Sequence, residues 1–120
     1  MAKNTIAGVS LSLFAVGLAQ AAEPIQLFNG KDFTGWHGRP TVDPRKWEST
    51  PDADKAKWNQ EIVDHWKVDG NEIVNDGKGA YLTTNAQYGD FDLTLDFKIV
   101  KDCDSGIYLR GIPQVQIWDP

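Results

Sequence analysis

The sequence predicts an all-β protein with one short helix, arranged as a β-sandwich or jelly roll. Three observations predict it. Most of the chain breaks into short segments whose apolar and polar residues alternate with the period of a strand. Glycine-rich turns separate those segments. A single stretch, about Pro51 to His65, carries helix-start signals instead. Many short antiparallel strands with Gly-rich turns are the pattern of a double-sheet β fold.

The elements follow in order. Ile25–Phe28 reads as a short strand closed by the turn signal Asn29-Gly30. Phe33–Trp36 reads as the apolar return, and His37 to Pro44, with Gly38, Pro40 and Pro44, reads as loop. The helix comes next. Thr50 suits the N-cap, Pro51 the first helical position, and Asp52 and Asp54 the positive end of the helix. Its expected apolar stripe is Ala53, Ala56, Trp58, Ile62 and Val63, extended by Trp66. Trp66–Val68, Asp69-Gly70 and Glu72–Val74 read as strand, tight turn, strand. Tyr81–Thr84 is a further strand. Phe91 to Val100 has the cleanest alternation, with Phe91, Leu93, Leu95, Phe97 and Ile99 on one side and Asp92, Thr94, Asp96 and Lys98 on the other. The strands number roughly six or seven, where a jelly roll uses about eight, so the chain reads as a truncated sandwich.

The last stretch, Asp104 to Asp119, reads as strand, turn, strand with Gly111-Ile112-Pro113 as the break. Ile107, Leu109, Val115 and Ile117 form an apolar side. Tyr108, Arg110, Gln114, Gln116 and Trp118 form the other. An Arg, two amides and two aromatic rings suit a sugar, because rings stack on apolar sugar faces and planar groups pair with hydroxyls. The same alternation is also what a solvated face of an antiparallel sheet shows.

Composition narrows the function. With 120 residues the chain holds one small domain. Hydrophobic content of 41% is ordinary for a globular protein, and a net charge of −5 argues against nucleic-acid binding, which needs a basic stripe. Residues 1–21 read as a cleaved signal peptide: Lys3, an apolar run from Ile6 to Leu18, then the small-x-small pattern Ala19-Gln-Ala21. The run is too short for a membrane span. A periplasmic or secreted destination follows, with no membrane span after cleavage. The single Cys103 has no intrachain disulfide partner and reads as non-catalytic.

Familiar catalytic motifs are absent: no phosphate-binding loop, no Gly-x-Ser-x-Gly and no His-Glu-x-x-His. Asp102-x-Asp104 resembles the start of a calcium loop, but Pro113 holds the position where the closing Glu belongs. His65 reads as a helix C-terminal residue, and His37, beside Gly38-Arg39, as a pocket-lining one.

Several segments resemble the 3-keto-disaccharide hydrolase domain family, also described as 3-keto-glucoside 1,2-lyase/3-keto-2-hydroxy-glucal hydratase. They are Leu27-Phe-Asn-Gly-Lys-Asp-Phe-Thr-Gly-Trp36, Tyr81-Leu-Thr-Thr84, Tyr88-Gly-Asp-Phe91, Asp104-Ser-Gly-Ile-Tyr-Leu-Arg-Gly111 and Gln114-Val-Gln-Ile-Trp-Asp119. The resemblance implies a concanavalin A-like jelly roll whose concave sheet face holds a sugar, with residues 25–120 as the N-terminal part of the domain and about 51–65 as a helical insertion. It also implies cleavage of a 3-keto-glycoside by elimination across C1–C2, followed by hydration. A ketone at C3 acidifies the C2 hydrogen, so the route needs a base near C2, a stabiliser for the C3 oxyanion and an acid for the leaving oxygen. A divalent metal ion is one such stabiliser, with ligands that this part of the sequence leaves unassigned.

On this basis Arg110, Asp104 and Asp119 are the catalytic candidates, and Tyr108, Gln114, Gln116, Trp118 and His37 the substrate-binding ones. Arg110 binds a hydroxyl, stabilises the oxyanion or pairs with a neighbouring acid. Asp104 is base, ligand or turn residue. Asp119 falls on the core side by strict alternation, so it either ends the strand or is re-aimed by a bulge. Two competing readings stand beside the enzyme: a non-catalytic carbohydrate-binding sandwich, and a structural sandwich that mediates protein contacts.

Overall fold

A computed structural model of the chain describes residues 22–40 and 43–119. The predicted signal peptide lies outside the described residues. The elements are β1 (Trp36–Arg39), a 3-10 turn (Pro44–Lys46), α1 (Asp52–His65), β2 (Trp66–Asp69), β3 (Glu72–Asn75), β4 (Tyr81–Thr84), β5 (Asp104–Tyr108) and β6 (Gln114–Trp118). The fold is all-β with one helix, as the alternation predicts. The described strands pair antiparallel in three twos: β1 with β4, β2 with β3, and β5 with β6.

The entry to β1 is a hydrogen-bonded turn. Asn29 Oδ1 accepts from the Lys31 and Asp32 backbone N–H groups, and Asp32 Oδ1 accepts from Thr34 N–H. Short side-chain acceptors that bind the backbone two or three residues on favour turns over strands. Ile25–Phe28 consequently carries no strand pairing, and the Trp36 indole ties this stretch down by donating to the Leu27 carbonyl at 3.0 Å. Phe33–Gly35 is turn rather than an apolar return, with Trp36 N–H donating to Phe33 O.

Strand β1 occupies the segment expected to be loop. Glycine and proline bias it away from a strand, but pairing overrides the bias: Trp36 faces Thr84, His37 faces Thr83, Gly38 faces Leu82 and Arg39 faces Tyr81. Gly38 is needed there. A Cβ at this position would run into the Trp58 carbonyl and sit 2.9 Å from Ile62 Cγ1, so only glycine lets α1 come this close. Asn59 of α1 then accepts the Gly38 N–H at 2.8 Å and satisfies the strand's outer edge.

The helix starts where expected, but differently. Pro51 occupies the cap position, without a side-chain cap, while Thr50 Oγ1 donates to the Lys46 carbonyl. The inward stripe runs through Lys55, Trp58, Ile62 and His65; Ala53, Ala56 and Val63 are exposed. Ile62 and Ala80, each 5% exposed, form the core among the described residues. The chain at Gly79–Ala80 presses on the helix end, where a Gly79 Cβ would meet His65 Cδ2 at 2.7 Å. His65 Nδ1 lies 2.9 Å from Asp76 Oδ2, and Trp66 Nε1 donates to Ala80 O.

The segment Phe91–Val100, the cleanest expected strand, has no ladder partner among the described residues. Its alternation still shows in packing. Phe91, Leu93, Leu95 and Phe97 line a cavity of about 360 Å³ together with Ile107, Leu109, Val115 and Ile117 of the last hairpin and part of Gln116. The apolar face of the last hairpin is therefore the face turned toward this segment, as its sequence pattern predicts.

Candidate functional site

Hairpin β5–β6 gathers most of the predicted site. Its register pairs Asp104 with Trp118, Gly106 with Gln116, and Tyr108 with Gln114. Directly opposed residues of an antiparallel pair share a face. Asp104, Tyr108, Gln114, Gln116 and Trp118 therefore project from one side, away from Ile107, Val115 and Ile117. Gln116 Nε2 donates weakly to Asp104 Oδ2 at 3.4 Å. The Gln114 side chain lies over Gly106, where no side chain competes for the space. Trp118 remains 68% exposed at the Asp104 end.

Arg110 was expected on the strand and is found in the turn. Arg110 (φ 53) and Gly111 (φ 78) are both left-handed, and Ile112 N–H returns to the Leu109 carbonyl at 3.2 Å. Consecutive positive φ values mark a primed hairpin turn, which matches the twist of the strands it joins. An arginine there costs about 1–2 kcal/mol that glycine or asparagine largely avoids. The placement also separates two catalytic candidates. Asp104 and Tyr108 stand at opposite ends of a five-residue strand, roughly 13 Å apart at ~3.3 Å per residue, and Arg110 lies beyond Tyr108.

Asp119 follows β6. Its Oδ2 accepts the backbone N–H of Asp102 at 3.1 Å, and its own N–H donates to Cys103 O. Asp102 is itself left-handed at φ 61. The Asp119 carboxylate thus fastens the tight turn that launches β5. Cys103, within that turn, is an exposed free thiol.

His37 stands on β1 and shares its face with Arg39, Tyr81 and Thr83. Its ring packs on Trp47 at 4.4 Å, and Trp47 stacks on Trp58 at 6.2 Å. Nδ1 lies 2.8 Å from Asn85 Oδ1; an amide oxygen only accepts, so Nδ1 carries the proton and Nε2 the lone pair. Nε2 is buried without a hydrogen-bond partner. Burial lowers the His37 pKa; the Asn85 hydrogen bond opposes this and the Arg39 charge adds to it. Burial thus favours the neutral form of His37, which stands in the wall of an aromatic cluster with its second nitrogen enclosed.

The two faces meet. Tyr81 of β4 and Tyr108 of β5 contact edge to face at 5.3 Å. On the same side, Arg39 lies 5.7 Å from the Trp47 ring, and its Nη2 comes within 3.4 Å of where a Gly111 Cβ would stand. Sequence reasoning missed Tyr81, Arg39, Trp47 and Asn85. The alternation in Tyr81-Leu-Thr-Thr84 does place Tyr81 and Thr83 together, but nothing local reveals that β1 is their partner.

Among the described residues no three His, Cys, Asp or Glu side chains come together as a metal-binding group. Among them, too, no helix is long and apolar enough to cross a membrane. A further cavity of about 320 Å³, lined by Gln26, Phe28, Asn29, Gly30 and Asn71, shares no residue with the hairpin face.

No curated protein and no solved structure matches the chain. The family described as the 3-keto-alpha-glucoside-1,2-lyase-like domain matches residues 23–120, nearly all of the described chain and every residue of the hairpin face. The chain belongs to that family, and its function is a carbohydrate-related one.

Proposed function

We propose that the chain carries the reacting-sugar face of an exported domain that cleaves 3-keto-glycosides by elimination and rehydration. The observation that carries this reading is the hairpin face: the register sets Asp104 opposite the exposed Trp118 indole, Gln116 donates to the Asp104 carboxylate, and the Gln114 side chain lies back over Gly106. The three strand pairs are then parts of a concanavalin A-like jelly roll, and the hairpin's polar side is its concave, sugar-facing side.

Asp104 takes the proton from C2 of the 3-keto ring. The electron pair moves into the C2–C3 bond and leaves an oxyanion at O3. The Gln114 and Gln116 amides are the donors closest along the face to Asp104, and an aimed amide stabilises such an oxyanion. Collapse of the enediolate breaks the C1–O bond, and the Asp104 carboxyl returns its proton to the leaving oxygen. Water then adds across the glycal, hydroxyl to C1 and hydrogen to C2. Trp118 stacks on the ring opposite the amides. Arg110, more than a strand's length from Asp104, serves a part of the substrate remote from C2. Asp119, committed to the Asp102 N–H, holds the turn in front of Asp104. A divalent metal ion completing the oxyanion site would need ligands in addition to these residues.

The flat exposure of Trp118 favours a second reading, a non-catalytic carbohydrate-binding surface. Asp104→Asn in the full-length protein separates the two. For an enzyme, kcat on 4-nitrophenyl 3-keto-glucoside falls about 10²–10⁴-fold with KM nearly unchanged. Turnover retained within a few-fold removes Asp104 from the chemistry. Binding of unoxidised glycans with no turnover by the wild-type protein favours the binding surface.

A further inference from the structure

We propose that Tyr81 and Arg39, joined to the hairpin through the Tyr81–Tyr108 contact, form the subsite for the leaving-group sugar of a 3-keto-disaccharide. This rests on the reading of the hairpin as the reacting-sugar face. Three observations lead to it.

The first is distance. The reacting ring sits at the Asp104 end, and Tyr108 stands roughly 13 Å along the same strand at ~3.3 Å per residue. A second ring carried on the leaving oxygen extends along the face from the Asp104 end toward Tyr108. A monosaccharide glycoside with a small aglycone ends short of it.

The second is chemistry. Tyr81 is 46% exposed, and its ring meets Tyr108 edge-on at 5.3 Å with an interplanar angle of 61°. Two aromatic rings at such an angle make a corner, and an apolar sugar face stacks on one wall while its edge meets the other. Arg39 is the direct cross-strand neighbour of Tyr81 and so shares its face. A planar guanidinium offers several fixed donors to ring hydroxyls.

The third is that this corner is held in place. Trp47 packs under Arg39 at 5.7 Å, and Gly111 brings the hairpin turn against the Arg39 guanidinium without a side chain between them. The left-handed turn at Arg110–Gly111 is what permits that approach.

The test compares substrates with and without the second ring, using full-length wild-type protein, Tyr81→Ala, Tyr81→Phe and Arg39→Lys, each checked for folding by circular dichroism. Turnover is measured on 3-keto-maltose and on methyl 3-keto-α-glucoside. Binding is measured by NMR on unoxidised maltose and methyl α-glucoside, which needs no catalysis. Tyr81→Ala is expected to raise KM for 3-keto-maltose and Kd for maltose about tenfold, the scale of one aromatic stacking contact. Both methyl glycosides should stay within about twofold, the level expected for a contact they do not make. Tyr81→Phe is expected to keep most of the wild-type affinity for maltose, and Arg39→Lys to weaken maltose and 3-keto-maltose selectively, because a lysine lacks the planar fork. Equal weakening of maltose and methyl glucoside would make Tyr81 a mere support for Tyr108 and overturn the subsite. So would wild-type binding that does not distinguish the two sugars. Absence of turnover with the maltose-selective loss intact removes the enzyme reading and leaves the subsite standing.

Discussion

The Gln114 side chain lies across Gly106, and a Cβ on Gly106 would stand 2.7 Å from Gln114 Cδ and 2.8 Å from its Cγ. The glycine is therefore the floor on which one of the two proposed oxyanion donors rests. Gly106→Ala pushes Gln114 outward. Both residues lie on an accessible face, so the side chain swings away at little cost in stability, within about 0.5 kcal/mol. Catalysis responds much more: kcat on a 3-keto-glucoside falls by about 10², the usual effect of losing one aimed donor. Thermal melting and steady-state kinetics of the same variant check both halves.

Arg110 carries backbone strain at φ 53. Arg110→Gly relieves it and stabilises the fold by about 1 kcal/mol, since glycine enters the left-handed region freely while giving up somewhat more chain entropy. Melting temperature rises by a few degrees, on the scale of ~4–8 °C per kcal/mol for a small domain. Because Arg110 is remote from Asp104, KM for a disaccharide rises while kcat changes by no more than a few-fold. A large fall in kcat with unchanged KM would place Arg110 at the reacting ring.

Gly38 lies where α1 crosses β1. A methyl group there meets the Trp58 backbone carbonyl, which has no rotamer by which to escape, as well as Ile62. Gly38→Ala is expected to destabilise the fold by about 1–3 kcal/mol, the range for overpacking at a tight contact. Chemical denaturation with an unchanged slope would register it. Gly70→Ala does not test the same contact: its penalty comes from φ 63, with open space around the new methyl.

His37 links stability to pH. Burial lowers its pKa below the ordinary value of 6.5, so the unfolded chain binds the proton more readily than the folded one. The stability this group supplies is complete above about pH 6.5 and is lost as pH falls through the lower folded-state value. Melting curves between pH 8 and 5 should show wild type losing stability on the acid side more steeply than His37→Gln. Asp43 and Asp76 titrate in a separate, more acid window. The Arg45 side chain, with help from its backbone N–H, lowers the Asp43 pKa to about 2, and the His65 hydrogen bond lowers that of Asp76. Protonating them as pH falls removes what little these exposed pairs contribute.

The hairpin was legible because its two signals are local. Alternation assigns faces, and Gly111-Ile-Pro113 marks the break, so Tyr108, Gln114, Gln116 and Trp118 come together on one face as expected, with Asp104 beside them. Arg110 escaped because two left-handed residues end the strand one step early, and backbone handedness at an arginine has no sequence signature. Phe91–Val100 shows the reverse limit: alternation reports which side is apolar, but a strand also needs a partner, which is a property of the whole chain. Gly38 and Pro40 make His37–Arg39 look like loop, yet Gly38 is there for the helix that packs on it. The corner of Tyr81, Arg39 and Tyr108 joins segments that no local pattern connects.

The most direct test of the hairpin as a 3-keto-glycoside site is cleavage by the full-length protein in deuterated water. Paired substrates, 4-nitrophenyl 3-keto-glucoside and 4-nitrophenyl glucoside, differ only in the ketone that acidifies C2. Elimination through Asp104 predicts release of nitrophenol from the keto sugar alone and deuterium at C2 of the product, with both signals lost in Asp104→Asn. Cleavage of the unoxidised glucoside at a similar rate, or a product without deuterium at C2, would contradict it.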